Sequence, residues 1–511
     1  MATITIGKGD ERYEALSQGF NQRWVAHPDC IALVATTEDV VDVVSDAIRD
    51  GKRISVRSGG HCYENFVCND DVKVIIDVSQ LDNVYYDERL KAHCVGAGAT
   101  NWRVYTHLYR PFGVVVPGGS CYSVGTGGHI CGGGFGLLSR QFGLTVDYLY
   151  AVEVVVPRDG KGGRRAEAVI ARSDSADREL QDLWWAHTGG GGGNFGVITR
   201  YWFRDLPKPP KNVWLSGASF SWSALGEAGF RQLVENYGKF FAEHKDPDDD
   251  YANLFAILKL THVSNGQLGL VAQLDATSPD SEMKLYSFYQ AITANVRAEV
   301  RNFDLRVGEH APAQPLTVTG RVMPWIQATQ TLDGSGENRR GKYKSAYQRT
   351  AFTADQITAF WKNLSDSTYS NPEALLQIDS YGCKINARKP GETAIAQRDS
   401  VTKLQYQTYW DEAKDDDKNL AWIRKFYFDV YRGTGGVPVP DQTTDGCYIN
   451  YPDVDLGTVG QETTEWNKSG TPWSELYYKG DYPKLREVKT RWDPLNVFCH
   501  AQSIEPWERG T

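Results

Sequence analysis

His61 and Cys121 are the side chains whose setting most invites chemistry. His61 ends the run Arg57-Ser58-Gly59-Gly60-His61, directly after the strand-like Lys52–Val56. Cys121 ends Pro117-Gly118-Gly119-Ser120-Cys121, directly after Val114–Val116. A glycine pair at the end of a β run lets the backbone turn through positive φ and aim successive N–H groups at an anion. Neutral imidazole is a competent nucleophile near neutral pH. A thiol at a turn rich in N–H groups is a candidate for a lowered pKa. Beside a phosphate cradle, this pair could attach a cofactor covalently.

Three further stretches carry candidate chemistry. Thr188–Gly196 holds five consecutive glycines, from Gly189 to Gly193, followed by Asn194. A flexible linker is the plain alternative, but the run sits between Trp184-Trp185 and the β-like Phe195–Phe203. Gly446–Asp453 presents Tyr448, Asn450 and Tyr451. Strand alternation there would place Tyr448 and Asn450 on one face and Tyr451 on the other, although most of the 27 tyrosines must simply pack. Gln377–Gly382 offers Asp379 and Tyr381. The phenol pKa of about 10 means that a tyrosine base needs help near neutrality, and an ionised Asp379 would raise it. Cys62 and Cys68 invite a zinc reading, but no second cysteine pair follows at finger spacing, so no metal is expected. No glycine pattern opens a helix in the manner of a dinucleotide-binding Rossmann turn.

The elements that must position these residues alternate at first. Cys30–Thr36, Lys52–Arg57, Val72–Val78, His93–Ala97, Val114–Val116 and Val152–Val156 read as strands. A helix through Val40–Asp50 follows the cap and acidic turn Thr37-Glu38-Asp39, and another lies near Trp102–Tyr109. Leu206-Pro207-Lys208-Pro209-Pro210 is a stiff link. Beyond it, strand candidates (213–221, 254–260, 268–274, 375–378) alternate with longer helices (224–244, 281–293, 353–364, 419–431). At 511 residues the chain suggests more than one domain. Its net charge of −9, without a lysine/arginine cluster, excludes a nucleic-acid surface. No run is apolar enough for a membrane span and the first residues lack a signal-peptide pattern, so a cytoplasmic protein is expected. Nine scattered cysteines argue against a disulfide framework.

Taken together, these motifs resemble the berberine-bridge-enzyme-like group of the vanillyl-alcohol oxidase superfamily. The sixty-residue separation of His61 and Cys121 fits its members with doubly attached FAD. Gly446–Asp453 is similar to the group's Tyr-x-Asn-Tyr-x-Asp motif, and Arg491–Phe498 to its C-terminal element. The resemblance implies an α+β fold. A PCMH-type FAD-binding domain would comprise residues 1–205 and 437–511. A substrate domain with an antiparallel sheet backed by helices would comprise 206–436. It implies FAD linked through His61 and Cys121, with Cys131 and Cys62 as lesser thiols. FAD would be held by Arg57, Ser58, Gly59 and Gly60 of the first turn and by Gly118, Gly119 and Ser120 of the second. Gly125, Gly128, His129 and Gly133 would continue the cradle, with Gly192, Asn194, Val197 and Asn450 completing it. Leu149 maps to the position that gates oxygen. Tyr448 would be the base, Tyr451 its alternate, and Asp379 or Tyr381 the helper. The run Gly128–Gln141 is similar to bacterial oxidases that tailor glycosylated or polyketide antibiotics. The expected reaction is oxidation of an alcohol on such a product or its sugar, with O₂ reduced to H₂O₂. An oligosaccharide oxidase or an oxidative ring-closing enzyme is the alternative.

Overall fold

β-Branched residues build the first sheet. Val74–Asp77 (Val-Ile-Ile-Asp) is buried throughout and lies between Cys30–Leu33 and Ile54–Arg57, parallel to both; Ile4–Ile6 adds an antiparallel edge. The structure is a computed structural model and describes residues 3–160, 163–297, 300–303 and 315–508. The crossover helix Thr37–Arg49 starts at a capping box one residue earlier than the expected cap. Thr36 Oγ1 accepts the Asp39 N–H, and Asp39 Oδ2 accepts the Thr36 N–H. Val40, Val44 and Ala47 form its buried stripe.

A second sheet of five antiparallel strands runs in the order Val84–Asp87, Ala92–Gly96, Val197–Phe203, Leu149–Gly160, Gly163–Arg172. The buried Glu153 carboxylate accepts from Thr37 Oγ1 and Arg200 Nε, both at 2.8 Å, and so fastens the helix Thr37–Arg49 to this sheet.

The third sheet is antiparallel and larger. Its order is Val300–Asn302, Asn212–Ser221, Gln267–Asp275, Leu254–Thr261, Leu375–Ser380, Thr402–Trp410, Arg340–Gln348, with Arg321–Pro324 also pairing to Asn212–Ser221. The register sets Ile257 opposite Asp379 and Asp379 opposite Lys403. Side chains alternate, so odd-numbered Phe255, Gln377, Asp379 and Lys403 share one face. Leu258, Ile378 and Leu404 share the other. Four helices back that second face: Trp222–Glu243, Ser281–Thr293, Ala354–Leu364 and Asp416–Val430. Tyr237 from the first of them donates its hydroxyl to the Ala256 and Ile378 carbonyls, and Tyr406 packs edge-on against Phe426 and Tyr427 of the last. The fold is α+β.

Two expectations about elements are corrected. Val114–Val116 is not a strand. Val115 donates only to the Pro207 carbonyl, and the proline-rich segment offers few N–H groups for a ladder. Residues 446–451 form a turn rather than a strand. Arg340–Gln348, not foreseen, reads as polar (Arg-Gly-Lys-Tyr-Lys-Ser-Ala-Tyr-Gln) yet is a buried strand. It is tolerated because its lysines are paired. Lys342 reaches Glu64 and Asp453, and Lys344 reaches Asp453 and Asp455, which also binds Arg424.

Candidate active site

The two glycine turns pack backbone to backbone. A Cβ on Gly59 would lie 2.3 Å from the Gly125 nitrogen, and Gly60 turns the chain at φ +74°. No residue with a side chain fits at 59, and none without strain at 60. Ser58 Oγ donates to the Ala97 carbonyl at 2.6 Å, which fixes the first turn to the end of the inner strand Ala92–Gly96. His61 Nε2 lies 2.8 Å from Ser123 Oγ, two residues beyond Cys121, and its ring stacks on Phe20. Burial pulls its pKa down to about 4, so it is neutral and nucleophilic at physiological pH. Both turns open on one cavity of about 2100 Å³, open solvent at its mouth included.

Most of the expected cofactor residues line this cavity: Arg57, Ser58, Gly59, Gly60, His61, Gly119, Ser120, Cys121, Gly125, Gly128, His129, Gly192, Asn194 and Asn450. Arg57 is held by Asp77 at 2.9 Å. His129 Nε2 accepts the Gly119 N–H at 2.9 Å, and burial pulls its pKa to about 4. Four expected residues do not line it. Gly118 lies behind the second turn, where a Cβ would meet Tyr105 and His129. Gly133 abuts Ile395. Leu149 is buried where its strand begins, its carbonyl accepting from Trp184 Nε1. Val197 points into the core, and strand alternation gives its neighbour Ile198 to the cavity instead. The thiol of Cys131 lies off the cavity and donates to the Gly127 and Gly128 carbonyls; burial pushes it up to about 12. Cys62 lines the cavity, and burial pushes its thiol up to about 12 as well.

At the far side the turn 446–451 meets the polar face of the third sheet. Tyr448 and Tyr451 both line the cavity, ring centroids 5.0 Å apart, so they do not divide between two faces. Asn450 Nδ2 donates to the Tyr448 hydroxyl and to the His129 carbonyl, each at 2.9 Å. Lys403, which no motif marked, donates to the Tyr451 hydroxyl at 3.1 Å, pairs with Asp379 at 3.1 Å, and lies over both tyrosine rings. Gln377 Nε2 donates to the other Asp379 oxygen at 2.9 Å. Tyr381 is one layer behind. Its hydroxyl donates to the Gln397 carbonyl, and it packs against Phe135 and Tyr347. Asp379, not Tyr381, therefore reaches the cavity. Burial raises the Tyr448 pKa, and the Asn450 hydrogen bond offsets only part of this.

These residues fit FAD. Gly191, Gly192 and Gly193 bring bare backbone to the cavity wall. His500 lines the same space, and its buried Nε2 has no hydrogen-bond partner among the described residues. The family model described as "FAD binding domain" matches residues 28–162, and that described as "Berberine and berberine like" matches 447–505. The chain is 42% identical to the aclacinomycin-N/aclacinomycin-A oxidase of Streptomyces galilaeus, over 99% of this chain and 90% of that protein. The chain belongs to the berberine-bridge-enzyme-like family of FAD-linked oxidases.

Further likenesses bear on that membership. The hexose oxidase of Chondrus crispus is 38% identical over 98% of this chain and 94% of that protein. The crystal structure of a glycopeptide hexose oxidase complexed with teicoplanin is 41% identical, superposes with a TM-score of 0.90, and covers 99% of each chain. As a member of the berberine-bridge-enzyme-like family, the protein is an FAD-dependent oxidoreductase. Among the described residues, no helix is long and apolar enough to cross a membrane, and no group of three or more His, Cys, Asp or Glu is placed to hold a metal.

Proposed function

We propose that the protein oxidises an alcohol on a sugar or on a glycosylated or polyketide-type natural product, with FAD linked to His61 and Cys121 and O₂ reduced to H₂O₂. Residues 206–436 would supply the substrate floor through Phe255, Gln377, Asp379 and Lys403. Residues 1–205 and 437–511 would supply the FAD cradle and the tyrosines. The names of the relatives, an aclacinomycin oxidase and two hexose oxidases, support an alcohol substrate of this kind.

The observation that carries the mechanism is the Lys403 ammonium, 3.1 Å from the Tyr451 hydroxyl. An adjacent cation favours the ionised phenol and lowers its pKa. Tyr448 has no such donor; its hydroxyl accepts from a neutral amide in a buried setting. We therefore assign the base to Tyr451 rather than Tyr448. Tyr451 takes the substrate hydroxyl proton, while Lys403 stabilises the phenolate and Asp379 holds Lys403 in place. Asn450 and Tyr448 fix the other side of the substrate. FAD, when bound, supplies the hydride acceptor and the electron path to O₂.

Acid denaturation tests the attachment directly. The yellow colour is expected in the pellet, on protein whose intact mass is raised by one FAD, and is lost only when His61 and Cys121 are both replaced. Colour released to the supernatant would remove the double attachment.

A further inference from the structure

One short segment, away from the chemistry, touches both turns that carry His61 and Cys121. Residues 333–339 lie between the helix Trp325–Thr331 and the strand Arg340–Gln348. At one end, Asp333 Oδ1 accepts the Tyr122 N–H at 2.9 Å, and Ser335 Oγ accepts the Ser123 N–H at 3.0 Å. Asp333 Oδ1 also accepts from Ser335 N and Oγ, at 3.2 and 2.7 Å, so the pair is braced internally. Ser123 passes this restraint to His61 through the 2.8 Å contact with Nε2. At the other end, the Arg339 N–H donates to the Phe20 carbonyl at 3.1 Å, and the Phe20 N–H donates to the Gly60 carbonyl at 2.8 Å. The Phe20 ring stacks on His61, centroids 4.6 Å apart.

We propose that residues 333–339 form a strap that sets the spacing of His61 and Cys121, and that Asp333 is the positioning residue for the bond at Cys121. This rests on the double attachment proposed above. The two turns are not equally dependent on Asp333. The His61 turn keeps Phe20, Gly60 and Ser58 in place without it. Just past Cys121, the Asn101 and Trp102 backbone and the Asn101 side chain hold the carbonyls of 121, 122 and 124, whereas the N–H groups of Tyr122 and Ser123 are met by Asp333 and Ser335.

Each attachment replaces one S–H or N–H and one cofactor C–H by an S–C or N–C bond. The two electrons and two protons released go to O₂ as H₂O₂, so each bond consumes one O₂. A carboxylate next to the Cys121 turn disfavours thiolate formation. Asp333 therefore acts through position, not charge, and Asn at 333 preserves the acceptor that matters.

The test compares wild type, Asp333→Asn and the double variant Asp333→Ala/Ser335→Ala as purified, by intact mass and by masses of the peptides bearing His61 and Cys121. In wild type, both peptides are expected to carry the flavin. In the double variant, His61 stays linked, which itself reports a folded cradle, and the doubly linked fraction falls roughly ten- to a hundredfold. Asp333→Asn is expected to restore it. A double variant as fully linked at Cys121 as wild type overturns the proposal. So does loss of both links, or an Asp333→Asn protein as defective as the double variant. Wild-type protein without a bond at Cys121 overturns the double attachment itself, and the strap with it.

Discussion

If Tyr451 is the base, as proposed, the Lys403 ammonium at its phenol sets the pH range over which it acts. Removing the cation raises the phenol pKa, so a larger share of the enzyme holds a protonated, inactive base at a given pH. Lys403→Met is expected to move the acidic limb of kcat/KM upward by roughly one to three pH units, read from a pH–rate profile. An unmoved limb would take the base role from Tyr451. Tyr451→Phe should lower kcat about 10²- to 10⁴-fold, and Tyr448→Phe much less, in anaerobic flavin-bleaching kinetics. Among these residues, the places of His61 and Cys121 on the cavity wall were legible because each closes a glycine turn. Asp379 was legible only as one of two candidates. Neighbours in sequence could not say that Tyr381 would turn to Gln397 while Asp379 faced the cavity. Lys403 was hidden, since a lysine in an alternating strand reads as a solvated face. The register brings it to the cavity by setting it opposite Asp379.

The glycine turns and the strands behave differently as elements. Gly59→Ala forces a Cβ onto the Gly125 backbone, which has no side chain to swing aside. It should cost about 1–3 kcal/mol or more and reduce bound FAD, measured together as a lowered Tm and a lowered flavin-to-protein absorbance ratio. Unchanged values would mean that the two turns separate freely. Strands built of apolar β-branched residues, such as Val74–Asp77, and helices with clear caps, such as Thr37–Arg49, were legible within a few residues. Arg340–Gln348 was not, because its stability comes from acids at positions 64, 453 and 455, far away in the chain. The Tyr448–Tyr451 segment alternates like a strand but lacks a partner strand. Its polar groups are met by Ser345, His129 and Lys403 instead, and it folds as a turn.

At the scale of the whole molecule, the third sheet is joined to the loop after Ile54–Arg57 and to the C-terminal segment through charges at Glu64, Lys342, Lys344, Asp453, Asp455 and Arg424, all buried except the half-buried Arg424. Lys342→Met would leave the Glu64 carboxylate, already disfavoured by burial, without its closest cation. A loss of about 3–5 kcal/mol is expected, seen as a lower urea midpoint for the whole chain and not for one part of it. A shift confined to one phase of a biphasic transition would show that the parts unfold separately. The same cluster bears on recombination between relatives. The cations come from residues 340–424 and the acids from 64 and 453–455, so each part alone would bury like charges with no counter-ion. A graft of residues 206–436, the proposed substrate region, from another oxidase is expected to be accepted only if it brings two lysines and an arginine to those sites. Exchange of specificity by swapping whole segments is thus gated by six charged residues of which only Glu64 reaches the cavity wall.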